Sequence, residues 1–397
     1  MKPHKYILPI IVISQFFCTS LWFAGNGVMY DLMVNFNLKE SALGYLTSSV
    51  QFGFIGGTLI FAFLSIADRF SPSKVFFVCA LFGALFNVCT ILDINTYTSI
   101  LGFRFLTGFF LAGIYPVGMK IAADYYEKGL GKSLSFLVGA LVIGTAFPHL
   151  LKDIKGALPW EFVLITTSSL AVIGGLLMLL LVPNGPYRKA STTIDLKAIP
   201  SVFKKQNFRS AAFGYFGHMW ELYSFWAFVP YLLQTYKNLH AETTYSIPLL
   251  SFIIIGSGSI GCIIGGYLAN RISVKKVAIF ALLSSGICCV ISPFLFSVQS
   301  EIIFFTFLIF WGMVVIADSP LFSTMVAQNA PSALKGTALT IVNCIGFLLT
   351  IFSIQLIDKL RLLTDNPSIL VALAIGPFLG LVGLMSKGTS NNLETVS

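Results

Sequence analysis

A few ionisable side chains stand well inside long apolar stretches, where charge is costly and usually faces a cavity, a partner or a proton path. Arg104, His218, Glu221 and Asp318 are of this kind. His218 and Glu221 are three residues apart and share a helix face. Glu221 lies about eleven residues into its stretch, or about 16 Å along a helix, close to a bilayer midplane. A carboxylate beside an imidazole can pass a proton near neutral pH, so this pair is expected to couple protons. The alternative is a static hydrogen bond that fixes the helix. Asp318 follows Trp311 by seven residues on one face; it could hold a cation, a proton or a basic partner, or latch an inner gate. Arg104 sits about six residues, or about 9 Å, from the nearer end of its stretch, within reach of the surface by snorkelling. With Thr107 and Tyr115 it would form one polar stripe on a continuous helix. Gln15, Thr19, Trp22 and Asn26, at steps of four, three and four, would form another. That second stripe is either a solute-facing wall or a set of interhelical hydrogen bonds, and Asn343 is expected to be such glue. Lys120 and Asp124, four apart, are expected to pair at the surface.

These residues need long helices to hold them, and the composition places those helices in a membrane. Of 397 residues, 56% are hydrophobic and only 10% charged, and the mean hydropathy is +0.86. A soluble fold cannot hide that much apolar surface. Disorder, collagen and a secreted disulfide scaffold are excluded by the same figures. Twelve apolar runs, at 6–30, 42–66, 75–94, 98–123, 132–152, 160–182, 210–236, 245–270, 275–297, 301–327, 336–358 and 367–386, are each expected to cross a bilayer as a helix. The first is expected to be a span, not a removed leader. The seven cysteines all fall inside these runs with no C-x-x-C pair, which points to neither a disulfide framework nor a metal site. Net charge is +9, but the basic residues occupy the gaps between runs, so nucleic acid is not the implied partner. Seventeen of the 25 lysines and arginines lie on the side of the N-terminus and six opposite, which predicts both termini in the cytoplasm, with the chain in an inner or plasma membrane.

Two alignments indicate an internal duplication. Ala67-Asp68-Arg69-x-Ser71 matches Ala269-Asn270-Arg271-x-Ser273 at an offset of 202, and Gly108 with Pro116 matches Gly312 with Pro320 at 204. Repeats of this kind build the alternating-access sites of secondary transporters. The loops around residues 64–74 and 266–276 resemble the G-x-L-a-D-R-x-G-[RK]-[RK] motif of the major facilitator superfamily. Ile100 to Ala112 resembles that family's fourth-span motif, with Arg104 and Gly108 at its named positions. Leu64, Ser71 and Ser273 stand where the loop motif has glycine, and Asn270 where it has an acid. The resemblance implies that spans 1, 4, 7 and 10 line a central cavity and that Arg104 serves coupling or solute binding. It implies that Asp68, Arg69 and Arg271 engage helix ends to lock an outward-open state, against the alternative that their charge only orients the chain. The fifth span, Gly139 to Pro148, lacks the g-x-x-x-G-P-x-x-G-G pattern of drug/proton antiporters.

The expected fold is all-α, with twelve transmembrane helices in two six-helix bundles: 1–182 and 210–386, joined by a basic linker at 183–209 and followed by a tail at 387–397. The expected function is proton-coupled transport of a small polar solute by alternating access. Its pathway would use Trp22, Asn26, Arg104, Tyr115, His218, Glu221, Trp311 and Asp318, and its gate Asp68, Arg69 and Arg271. The competing readings are a drug or metabolite efflux antiporter, a receptor or scaffold docking through 183–209, and a lipid transferase. The chain has no nucleophile elbow, kinase, metalloprotease or Walker A signature, so an enzyme and ATP coupling are not expected. No cofactor or metal is expected. The expected partners are the solute, a coupling proton and membrane lipids, with the linker on anionic headgroups, and the chain is expected to be a monomer. Buried charges of both signs leave the solute's charge open.

Overall fold

The computed structural model describes residues 5–126, 130–154, 159–188, 199–240, 244–331, 334–364 and 366–386. Residues 189–198 of the expected linker and the whole 387–397 tail lie outside them. Among the described residues the regular structure is helical throughout. The first apolar run becomes α1 (Ile7–Thr19), α2 (Ala24–Gly27) and α3 (Met29–Asn35). Then come α4 (Ala42–Phe63), a short α5 (Ile66–Arg69), α6 (Pro72–Cys89), α7 (Tyr97–Leu111), α8 (Tyr115–Tyr125), α9 (Leu130–Ile154) and α10 (Glu161–Leu181). After α11 (Ile199–Phe203) follow α12 (Gln206–Leu239), α13 (Ile247–Arg271), α14 (Val274–Leu295), α15 (Glu301–Ala317), α16 (Ser319–Asn329) and α17 (Lys335–Leu363). A 3-10 stretch, Pro367–Ala374, then runs into α18 (Ile375–Met385). Ten helical segments are long and apolar enough to cross a membrane, with α7–α8 and α15–α16 each acting as one.

Helices break where the polar residues gather. Proline lacks an N–H and its ring clashes with the carbonyl four residues back. Pro116 and Pro320 therefore fall in the first turn of a new helix, after α7 and α15 have stopped. The freed Ile316 carbonyl accepts from the Cys262 thiol at 3.5 Å. The first run breaks between Thr19 and Ala24 without a proline. There the Thr19 and Ser20 hydroxyls donate back to the Gln15 and Phe17 carbonyls, at 2.8 and 2.6 Å, in competition with the helix ladder. The expectation of continuous helices through Trp22 and between Arg104 and Tyr115 is thus corrected, and neither polar stripe runs unbroken.

The duplication reappears in the packing. α4 lies on α7 so closely that a Cβ on Gly57 would sit 2.2 Å from the Phe109 carbonyl oxygen, and one on Gly108 2.0 Å from that of Val50. α13 lies on α15 in the same way. Gly261 faces the Met313 carbonyl at 2.1 Å, and Gly312 that of Ile254 at 2.1 Å. Each of these four residues stands 204 positions after its counterpart. The earlier and later parts of the chain meet along α4–α17 and α9–α13.

Candidate functional site

The later part of the chain builds the denser polar cluster. Glu221, on α12, is 1% exposed and accepts three hydrogen bonds. Trp311 Nε1 of α15 donates to Oε1 at 2.6 Å, the Cys289 thiol of α14 to Oε1 at 3.2 Å, and Ser285 Oγ of α14 to Oε2 at 2.9 Å. One turn earlier, His218 Nδ1 lies 2.8 Å from Asp318 Oδ1, at the break between α15 and α16. Both side chains are buried, so whatever proton the pair carries is shielded from water. His218 and Glu221 share a face yet take different partners, which corrects the expectation that they pair. The His218 ring lies between Tyr215 and Phe322, at 6.0 and 6.2 Å. Tyr215 Oη donates to Asn343 Oδ1 at 2.8 Å, so Asn343 is the interhelical bond expected of it.

In the earlier part, Arg104 is 1% exposed and does not snorkel. Its guanidinium donates to the Trp22 carbonyl at 2.7 Å, the Leu21 carbonyl at 3.4 Å and Asn87 Oδ1 at 3.2 Å. Both carbonyls lie in the break after α1, where the Leu21 carbonyl also accepts the Ala24 N–H at 3.4 Å. Among the described residues no carboxylate pairs with Arg104. Thr107 returns to the Phe103 carbonyl of its own helix at 2.8 Å. Asn26 Nδ2 donates to Thr47 Oγ1 at 2.8 Å, an α2–α4 tie.

Between the two parts lies an aromatic box. Trp22 packs against Phe54 at 4.8 Å and against Tyr223 and Phe347 at 5.8 Å each, with Tyr115 edge-on at 6.5 Å. Trp226 extends it beside Tyr223 and Phe23. Among the described residues, the buried indole N–H groups of Trp22 and Trp226 meet no hydrogen-bond partner, nor do the two amide atoms of Gln51, three residues before Phe54 on α4. A buried polar group left unpaired costs about 1–3 kcal/mol.

Antiparallel α4 and α17 close one end of this interface. Arg361 Nη2 donates to the Glu40 carbonyl at 2.6 Å and its Nε to Asp358 Oδ1 at 2.8 Å. Asp358 in turn accepts from the Gly44 backbone in the first turn of α4, where the helix dipole favours an anion. Gln355 Nε2 donates to Ser48 Oγ at 3.0 Å, and Phe54 meets Phe347 at 4.5 Å. Beyond these rings the same helices part around a cleft of about 170 Å³, lined by Thr58, Phe61 and Ser65 on one wall and Thr337 and Thr340 on the other.

The loop residues divide. Asp68 Oδ1 pairs with Lys120 at 2.6 Å, and Arg188 donates to the Asp68 carbonyl at 2.8 Å. Lys120 thus takes Asp68, not Asp124, because α5 swings Asp68 under α8; the expected surface pair is corrected, and Asp124 is buried. Arg69 is exposed, and Arg271 stacks over the Tyr267 ring of its own helix at 4.6 Å. Residues overlooked in the sequence are Gln51, Asn87, Ser285, Cys289 and the Asp358–Arg361 pair. Only the last carried a signal, an acid and a base three apart at the end of an apolar run.

The family described as Major Facilitator Superfamily matches residues 11–354. A curated relative, a "Benzoate transport protein" of Acinetobacter baylyi, is 28% identical over 319 residues, which is 68% of this chain. The chain spans 66% of that relative's length. Among solved structures, the nucleoside transporter NupG aligns with a TM-score of 0.72 at 15% identity, covering 96% of this chain and 99% of its own. The proton:xylose symporter XylE aligns at 0.73 and 14% identity, covering 95% and 94%. At such identities these two likenesses establish the fold alone.

Proposed function

The chain belongs to the Major Facilitator Superfamily, an integral multi-pass membrane transporter and not an enzyme, and on that premise we propose that it is a proton-coupled secondary transporter of a small aromatic acid. Twelve spans form two six-helix bundles, at 1–182 and 210–386: α1–α3 supply the first span and α12 the seventh, beside the ten clear ones. The residues 183–209 link them on the cytoplasmic side, where both termini lie, and the chain works as a monomer. The observation that carries transport is the α4–α17 interface, latched by Glu40, Asp358 and Arg361 at one end and parted at the other. Rocking one bundle on the other opens the latch and closes the cleft, which presents the aromatic box to each side in turn.

The rings around Trp22 suit a planar aromatic body, and the unspent N–H groups of Trp22, Trp226 and Gln51 suit a carboxylate. The relative named for benzoate supports the same class. His218, Asp318 and Glu221 carry the coupling proton, with Trp311 orienting Glu221, and Arg104 shapes the first span through its carbonyls while Asn26 ties it to α4. Asp68 holds the cleft-side gate through Lys120, with Arg69 and Arg271 at the flanking loop surface.

Vesicles reconstituted with the protein should accumulate benzoate under an imposed pH gradient. Glu221→Gln and Asp318→Asn should each lose that pH-driven accumulation while keeping benzoate counterflow. Full pH-driven accumulation in both variants would remove these carboxylates from the mechanism. No saturable movement of benzoate by the parent protein would remove the aromatic-acid reading.

A further inference from the structure

A second cavity lies away from the interface, on the outer flank of the later bundle. It is an open groove of about 640 Å³ between α12, α17 and α18, with Phe213, Phe216, Trp220, Leu349, Ile375 and Leu379 among its lining. Phe213, Leu379 and Val382 are 47%, 57% and 52% exposed, so the groove faces the surroundings sideways, toward lipid. Its floor cannot fill with side chains. A Cβ on Gly217 would sit 2.3 Å from the Gly376 carbonyl oxygen, because α12 and α18 touch backbone to backbone there. The one polar atom of Trp220 is spent, as Nε1 donates to the Ala372 carbonyl at 3.2 Å.

Polar groups gather at one end only. Gln206 Nε2 donates to Ser386 Oγ at 2.9 Å and to the Ser386 carbonyl at 3.2 Å, tying the start of α12 to the end of α18. Arg209 donates to Gln206 Oε1, which holds its guanidinium at the mouth of the groove. No carboxylate among the described residues pairs with Arg209, and exposed Lys204 and Lys205 stand just before it. From Arg209 to Trp220 is eleven residues, about 16 Å of helix, roughly half of the ~30 Å hydrocarbon layer. Ile375 to Ser386 spans the same length. The groove is therefore one leaflet deep, apolar below its polar mouth, and headed by a cation with no carboxylate partner among the described residues.

We propose that this groove binds one anionic phospholipid, with an acyl chain laid along α12 and α18 and its phosphate on Arg209. Basic residues between membrane helices select anionic headgroups in this manner, and the Gln206–Ser386 tie makes the headgroup site depend on α12 and α18 together. Lipid bound here braces the moving helix that carries His218 and Glu221, without touching the solute site.

The test uses the full-length protein in detergent, with phosphatidylglycerol, phosphatidylcholine or inorganic phosphate added, read by native mass spectrometry and by melting temperature. One phosphatidylglycerol should stay on each chain and raise the melting temperature with concentration, while phosphatidylcholine should stay less. Arg209→Gln should weaken phosphatidylglycerol retention about fivefold, the worth of one basic residue at an anionic surface, and leave the lipid-free melting temperature unchanged. Leu379→Trp, which fills the groove from an exposed position, should displace both lipids. Equal retention of the two lipids by the parent, or unchanged phosphatidylglycerol retention in both variants, overturns the proposal. Phosphate alone stabilising as much as phosphatidylglycerol would also overturn it, since the tail would then contribute nothing.

Discussion

At the residue scale, the unpaired donors make the sharpest test. Gln51 is wholly buried with both amide atoms idle. Removing an unsatisfied buried amide relieves a penalty of about 1–3 kcal/mol. Gln51→Leu should therefore raise the melting temperature while raising the KM for benzoate several-fold. A lower melting temperature with unchanged KM would show that Gln51 is structural glue. Arg104 should behave in the opposite way. Its hydrogen bonds to two carbonyls and Asn87 are charge-assisted, and such bonds contribute about 1.5–3 kcal/mol. Arg104→Gln should lower the melting temperature and the yield of folded protein together with transport. A variant that melts normally but transports nothing would move Arg104 from scaffold to solute or proton handling.

At the element scale, the fold depends on two equivalent close crossings. Adding bulk where a Cβ already meets a carbonyl forces α4 from α7, or α13 from α15, and overpacking costs about 1–3 kcal/mol. Gly57→Leu and Gly261→Leu should each lower the melting temperature by similar amounts, as repeats of one geometry should. Gly102→Ala is the control, because no heavy atom lies within 4 Å of a Cβ there; it should be neutral or slightly stabilising. Unequal losses at Gly57 and Gly261 would show that the two crossings are not energetically equivalent despite their matched contacts.

At the scale of the whole molecule, the proposed alternating access requires the α4–α17 latch to open. A Cβ on Gly44 would lie 2.9 Å from that of Asp358, so the helices need part by only about 1 Å to reach the ~3.8 Å separation of a disulfide. Gly44→Cys with Asp358→Cys should cross-link on oxidation and stop benzoate flux, and reduction should restore it relative to the single variants. Flux at the full rate in the cross-linked protein would mean that the bundles need not rock at this end.

Much of the architecture was legible in the chain because the constraint is local. An apolar run must form a helix in lipid to satisfy its own backbone, so the run at 301–327 emerges as helix at Glu301–Asn329 and that at 367–386 as Pro367–Met385. The Gly108/Gly312 and Pro116/Pro320 spacing likewise marked the duplication, whereas the close crossings at those glycines and the helix breaks at those prolines emerged only in the folded chain. Partner choice was not legible. Three residues of separation put His218 and Glu221 on one face, but which neighbour each meets depends on how α14 and α15 lean against α12. That same tilt delivers Ser285, Cys289 and Trp311 to one carboxylate and Asp318 to the imidazole. Arg104 shows the same division: its burial in an apolar run was written in the order of residues, whereas its use as a cap for Leu21 and Trp22 required the first span to unwind beside it. Composition and periodicity thus determined which segments are apolar enough to cross a membrane as helices, since each segment meets lipid by itself. Only the packed structure decided which polar groups satisfy one another and which are left waiting, because those distances are set between helices and not along them.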